Sequence, residues 1–119
     1  MTSKDIDQFI DELTKKEGVI IRQRGSKSLP TKALNYKNSN VFHIPRLVAE
    51  YENSTDFYEF ENNYTNSRLN ELILKWILFS VRAKLLSGKF YLVVNEGDRL
   101  KFSQIIREKQ LEIELIVIS

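Results

Sequence analysis

The chain has 119 residues, 42% of them hydrophobic, and a formal net charge of +2, which are values typical of one folded domain, residues 1–119. It contains no Cys and one His, which excludes a disulfide framework, a thiolate metal site, a cysteine nucleophile and a multi-histidine metal site. The N-terminal segment is charged, and basic residues interrupt the most apolar segment, 72–86. This pattern predicts a cytoplasmic protein without a membrane span.

The first half of the chain predicts one helix and two strands. Apolar residues three or four positions apart predict a helix over 4–16, and a run rich in β-branched residues predicts a strand over 18–24. Residues 25–40 are polar, contain Gly and Pro without periodicity, and predict a loop. The segment 41–51 is almost continuously apolar after Pro45, which predicts a strand covered on both faces.

A turn at 52–55 and a third strand at 56–62 predict a hairpin with the second strand. Apolar and acidic residues alternate along this third strand. Because side chains of a strand point alternately to its two faces, Phe57, Glu59 and Glu61 are expected on one face. The other two aromatic residues of this strand, Tyr58 and Phe60, are expected on the opposite face.

The second half predicts a long helix followed by two strands with a helix between them. The helix runs from Asn66 to about Leu86 and is ended by Gly88, and an unbroken apolar run predicts a strand over 89–95. An amphipathic pattern predicts a helix over 96–110, and 112–119 predicts the last strand. The resulting fold class is α/β (α+β), a mixed sheet with helices packed on its faces.

Charge is unevenly distributed along the sequence. Glu17 is the only acidic residue among many basic ones in 15–37, whereas 50–61 contains five acidic residues and no basic one. Clustered Lys and Arg are typical of phosphate contacts, and solvated loop and helix faces are the alternative interpretation. The candidate nucleic-acid-binding residues are Arg22, Arg24, Lys27, Lys32, Arg68, Lys75 and Arg82. The last three are expected on an outward-facing stripe of the long helix.

Two short motifs carry a resemblance to a known superfamily. Pro45-Arg46 and, thirteen residues later, Glu59-Phe60-Glu61 resemble the motifs of PD-(D/E)XK nucleases, whose restriction-endonuclease-like core has the order αβββαβ. More narrowly, residues 44–118 resemble the C-terminal domain of replication-relaxation proteins of plasmids and conjugative elements. The resemblance implies a mobile genetic element as the setting, DNA as the partner and, in active members, Mg or Mn as the cofactor.

The motifs depart from the superfamily pattern at two positions. The pattern has a carboxylate where this chain has Arg46 and a lysine where it has Glu61. An arginine repels a divalent cation and can pair with carboxylates instead. We therefore predict an inactive pseudo-active site of Arg46, Glu59 and Glu61, in which the guanidinium takes the place of a metal, with no catalytic residue and no cofactor. The leading interpretation is a pseudoenzyme that binds DNA or a DNA-processing protein.

Three alternatives stay open at this point. Glu50, Glu59 and Glu61 could form a three-carboxylate Mg or Mn site of an active endonuclease or junction resolvase. The hairpin carboxylates could instead be a solvated surface with an ion pair across the strands. The chain could also be a homodimeric interaction or assembly protein that uses the strand 112–119.

Overall fold

The computed structural model describes residues 1–62 and 64–118, which contain three α-helices, two single-turn 3-10 helices and five strands. The α-helices are Ser3–Thr14 (α1), Leu69–Leu85 (α2) and Arg99–Glu108 (α3). The strands are Ile20–Gln23 (β1), Leu47–Glu50 (β2), Thr55–Phe60 (β3), Phe90–Asn95 (β4) and Glu114–Ile118 (β5). The predicted order of elements is confirmed. Residue 119, the last of the predicted strand 112–119, lies outside the described residues.

All five strands form one mixed sheet, in the order β1-β2-β3-β4-β5. β1, β2 and β3 are antiparallel neighbours, whereas β3, β4 and β5 are parallel neighbours joined through α2 and α3. The predicted hairpin is confirmed by the register of β2 and β3, in which Val48 lies opposite Phe57. The α+β class with a mixed sheet is likewise confirmed.

Helices cover both faces of this sheet. α1 packs Ile10 and Leu13 against one face, and α2 and α3 pack Trp76, Phe79 and Phe102 against the other. These last three side chains have no exposed surface. The alternation along β3 is also confirmed, because Phe57 belongs to the α2 face while the neighbouring Tyr58 belongs to the α1 face.

The second strand is shorter than predicted. Residues 41–46 lie outside the sheet, and the side chain of Phe42 is 60% exposed. His43 instead pairs with Leu34 in an isolated antiparallel bridge, through two backbone hydrogen bonds of 2.7 and 2.8 Å. Pro45 explains the boundary, since it has no N–H to donate to a neighbouring strand.

The helix α2 ends near the predicted position, but Gly88 is not the residue that adopts the left-handed conformation. Ser87, not Gly88, has the left-handed conformation, with φ of 62°, and the N–H of Gly88 donates to the carbonyl of Ala83 at 2.8 Å. Gly88 is required for a different reason. A Cβ atom at this position would lie 1.8 Å from the carbonyl oxygen of Thr55 at the start of β3. The glycine therefore allows the chain after α2 to pack directly against β3.

Candidate functional site

A buried carboxylate on β3 is the centre of the candidate site. The side chain of Glu59 is 4% exposed, and Glu59 is the only buried carboxylate in the part of the chain that the structure describes. Strand alternation turns it toward α2, on the same face as Phe57. A charge in this position is costly unless it is paired and hydrogen-bonded, so its partners determine what the site can do.

Both oxygens of Glu59 have partners. The backbone N–H of Arg46 donates to Oε1 at 2.7 Å, and Nζ of Lys75 on α2 lies 3.3 Å from Oε2. The same Nζ lies 3.0 Å from Oε1 of Glu61, which also accepts a hydrogen bond from the indole N–H of Trp76 at 3.4 Å. We call Glu59, Glu61 and Lys75 the carboxylate cluster. One ammonium group thus bridges two carboxylates beneath α2.

The pKa values of the cluster reflect this arrangement. Burial raises the pKa of Glu59, although the Lys75 ammonium and the Arg46 N–H act in the opposite direction. Burial alone would lower the pKa of Lys75, but the carboxylates of Glu59 and Glu61 outweigh it and the pKa is raised. Within the cluster, both Glu59 and Lys75 therefore hold a proton more tightly than the same groups do in water.

The predicted pairing of the Arg46 guanidinium with the carboxylates is wrong. Among the described residues, the ion-pair partner of both Glu59 and Glu61 is Lys75, and Arg46 contributes only its backbone N–H. The positive charge in the centre of the site therefore comes from Lys75 on α2 and not from Arg46. The expectation of an internal cation beside these carboxylates is met by a different residue.

The predicted position of Lys75 on an outward-facing stripe of α2 is also wrong, because its ammonium pairs with Glu59 and Glu61. Its side chain is only 20% exposed, whereas Arg68 and Arg82 are exposed as expected. Lys75 precedes the fully buried Trp76 and so lies at the border of the inward face of α2. A lysine at such a border can lay its aliphatic stem along apolar surface and place its ammonium beside a buried acid, which is the sequence signal that could have identified it.

The three-carboxylate arrangement of the alternative interpretation is not assembled. Glu50 pairs with Thr55 at the opposite end of β3 from Glu59 and Glu61, and its Oε1 accepts a hydrogen bond from Nε of Arg22 at 2.6 Å. In residues 1–62 and 64–118, no group of three or more His, Cys, Asp or Glu side chains is placed to hold a metal ion.

Three of the predicted nucleic-acid-binding residues line one pocket. Arg22, Lys32 and Arg82 converge there from β1, the loop before β2 and the C-terminal half of α2. The pocket has a volume of about 260 Å³. These cations are distant in the sequence, so their convergence follows from the packing of the loop against α2.

The other predicted basic residues do not line this pocket. Arg24 donates a hydrogen bond from Nη1 to the carbonyl of Ile44 at 3.3 Å. Its charge opposes the larger effect of burial, which raises the pKa of Glu59. Lys27 is exposed in the loop, and Arg68 is exposed immediately before α2. Of these three residues, Arg24 adds positive charge near the carboxylate cluster.

No model of a known protein family matches the chain, and no curated protein is significantly similar to it in sequence. In the described part of the chain, none of the helices is both long and apolar enough to cross a membrane.

Proposed function

We propose that this chain is a nuclease-like domain that binds DNA, alone or with a DNA-processing partner of a mobile genetic element, and does not cleave it. The proposal rests chiefly on the ammonium of Lys75, which lies 3.3 Å from Glu59 and 3.0 Å from Glu61. The order of helices and strands is compatible with the PD-(D/E)XK core that the two motifs resemble.

The contacts of the cluster argue against metal-dependent cleavage. Such hydrolysis needs divalent ions held by oxygen ligands from both strands of the hairpin. At position 46, immediately before β2, the chain offers an N–H donor to Glu59 in place of a carboxylate oxygen. A metal between Glu59 and Glu61 would have to displace the Lys75 ammonium, because two positive charges at one position repel each other.

The basic residues support DNA binding. Arg22, Lys32 and Arg82 converge on one pocket, and Lys27 and Arg68 are exposed. Lys and Arg side chains bind phosphates by displacing counterions, so the affinity is expected to fall steeply with salt and to depend little on base sequence.

Fluorescence anisotropy at low salt tests DNA binding with single-stranded, duplex and four-way-junction DNA. Replacing Lys27 and Arg68 by Ala should lower the slope of log affinity against log salt by about 2, since each phosphate contact contributes about 1. The matched control replaces Lys4 and Lys16, which are exposed at α1 on the other side of the sheet, and should leave the slope unchanged. Lack of affinity for all three DNA forms would reject the DNA-binding half of the proposal.

A cleavage assay tests the second half. Supercoiled, linear and four-way-junction DNA should remain intact after incubation with the protein and either Mg²⁺ or Mn²⁺. Cleavage that is lost in Glu59→Ala would replace this proposal with the active metal-dependent nuclease.

A second candidate function is self-association, favoured by the position of β5. Glu114–Ile118 is an edge strand of the sheet, so one side of its backbone is not paired by another strand of the sheet. Light scattering at several protein concentrations without DNA tests it. A stable dimer that has no affinity for DNA would favour an assembly protein over a DNA-binding one.

A further inference from the structure

The pocket lined by Arg22, Lys32 and Arg82 lies apart from the carboxylate cluster and has a distinct composition. Its floor is apolar and is formed by the buried residues Pro45, Val48 and Phe57, with the more exposed Leu34 and Leu86 beside them. Its rim carries the three cations and one carboxylate, Glu50. The volume of about 260 Å³ is close to the lower end of small-molecule pockets, roughly 300 Å³, and is suited to a single compact ligand.

Hydrogen bonds fix the loop wall of this pocket. The hydroxyl of Thr31, which is 9% exposed, donates to the carbonyl of Pro45 at 2.7 Å. Leu34 is held by its two backbone hydrogen bonds to His43. The side of the pocket at β3 is held by the N–H of Thr55, which donates to the carbonyl of Leu86 at 3.1 Å. The cavity is therefore bounded by ordered backbone on two sides.

The rim carries an excess of positive charge. Arg22 is paired with Glu50 at 2.6 Å, and both side chains remain about a third exposed. Within the described residues, neither Lys32 nor Arg82 forms an ion pair with an acidic side chain. Two cations are thus available above an apolar floor, an arrangement that suits an anion attached to a flat apolar group.

We propose that this pocket binds one nucleotide, with its phosphate against Lys32 and Arg82 and its base against the floor at Val48 and Phe57. For DNA as the ligand, this inference rests on the proposed function and deepens it. A base of DNA can enter the pocket only when it is unstacked from its neighbours. Unstacking a base costs a few kcal/mol in a duplex and much less in a single strand. The protein therefore prefers single-stranded DNA to a fully paired duplex of equal length.

The preference for single strands is the first measurement. Anisotropy is compared for a labelled single-stranded oligonucleotide and the matching duplex, at one salt concentration. Replacing both Lys32 and Arg82 by Gln should lower the single-strand affinity at least tenfold and abolish the preference. The control replaces Lys27 and Arg68 by Gln, which removes the same charge outside the pocket, and should weaken both ligands about equally.

The outcomes separate this inference from the function on which it rests. If the Lys32 and Arg82 variant, like the Lys27 and Arg68 control, loses affinity for single-stranded and duplex DNA in the same proportion, the pocket inference is overturned while DNA binding stands. If the unmodified protein binds no DNA, the proposed function fails, and the pocket is then tested with free ligands.

Free nucleotides test the pocket without any variant. Deoxyadenosine monophosphate, deoxyadenosine and inorganic phosphate are titrated separately while amide chemical shifts are recorded. The monophosphate should shift the amide signals of Val48, Phe57 and Lys32 more than either fragment does. Equal shifts with inorganic phosphate alone, or no shift at these residues, would overturn the assignment of a nucleotide site.

Discussion

The carboxylate of Glu59 shows how one ionisable side chain is accommodated beneath a helix. Its oxygens are engaged by a backbone N–H of Arg46 and by the ammonium of Lys75, which is shared with Glu61. Removing one member of such a group leaves the others buried without compensation, which costs more than the net contribution of the intact group.

Replacing Lys75 by Met should therefore destabilise the fold strongly at neutral pH. We expect a loss of about 3–5 kcal/mol in the free energy of unfolding, because the buried Glu59 and the neighbouring Glu61 are then left without the ammonium that they share. Urea denaturation measures it. Lys84→Met on the same helix is the control, since Lys84 and Glu112 are 73% and 70% exposed, and should cost less than about 1 kcal/mol. Equal losses for the two variants would contradict the burial of the cluster.

The raised pKa of Glu59 predicts a pH dependence with a definite sign. The ordinary pKa of this group is 4.5, and the folded protein holds the proton more tightly than the unfolded chain does. The contribution of Glu59 to stability is therefore greatest at low pH and declines as the pH rises from 4.5 through its folded pKa.

Glu59→Gln removes this titration. Measured by urea denaturation, the stability of the variant relative to the unmodified protein should improve as the pH rises from about 4.5 to 7. A difference that is constant over this range, or that changes in the opposite direction, would show that the pKa of Glu59 is not raised.

At the scale of elements, the connection from α2 to β4 determines how closely the helix approaches the sheet. Ser87 adopts the left-handed conformation, and Gly88 packs against the backbone of Thr55. The N–H of Lys89 then donates to Oδ1 of Asp56 at 2.9 Å. The segment after the helix thus lies directly on the start of β3, and at Gly88 the backbone of Thr55 leaves no room for a side chain.

Gly88→Ala should consequently be strongly destabilising. Its Cβ would meet the backbone of Thr55, which cannot yield as a flexible side chain can, and we expect a loss of about 3 kcal/mol or more. Gly97→Ala is the matched control because its added Cβ has no atom within 4 Å apart from those of the residue itself and its two chain neighbours, and it should change stability by less than about 1 kcal/mol. Thermal unfolding of both variants provides the comparison, and similar melting temperatures would contradict the close approach.

At the scale of the whole molecule, the protein should respond to salt in two different ways. Outside the carboxylate cluster, five ion pairs found within residues 1–62 and 64–118 join side chains that are between 32% and 73% exposed and contribute little to stability. Salt also screens the attraction between exposed cations and phosphates.

Raising salt from about 50 to about 200 mM should lower DNA affinity at least tenfold and change the free energy of unfolding by less than about 1 kcal/mol. Anisotropy and urea denaturation in the same buffers measure the two quantities. A parallel loss of stability would indicate that unfolding, and not screening of phosphate contacts, explains weaker binding.

The sequence was sufficient for the order of elements and for the side of β3 on which Glu59 lies, because both follow from local periodicity. It was insufficient for the identity of the cation beside Glu59. The contact between Glu59 and Lys75 joins β3 to α2, and it depends on the rotation of the helix about its own axis. The periodicity of apolar residues does not define this rotation closely enough to decide whether a residue at the border of the inward face points to the sheet or to solvent. Glu50 was misplaced as a ligand because strand alternation gives the face of a residue but not its distance along the hairpin.

The order of strands across the sheet, β1 to β5, is also their order along the chain. Each strand after the first is therefore added beside the one made immediately before it. During synthesis from the N-terminus, a nascent chain can extend its sheet at one edge without inserting a later strand between earlier ones. No two paired strands have to separate before the next strand joins the sheet. A chain that is still attached to the ribosome can therefore already contain native pairs between its N-terminal strands.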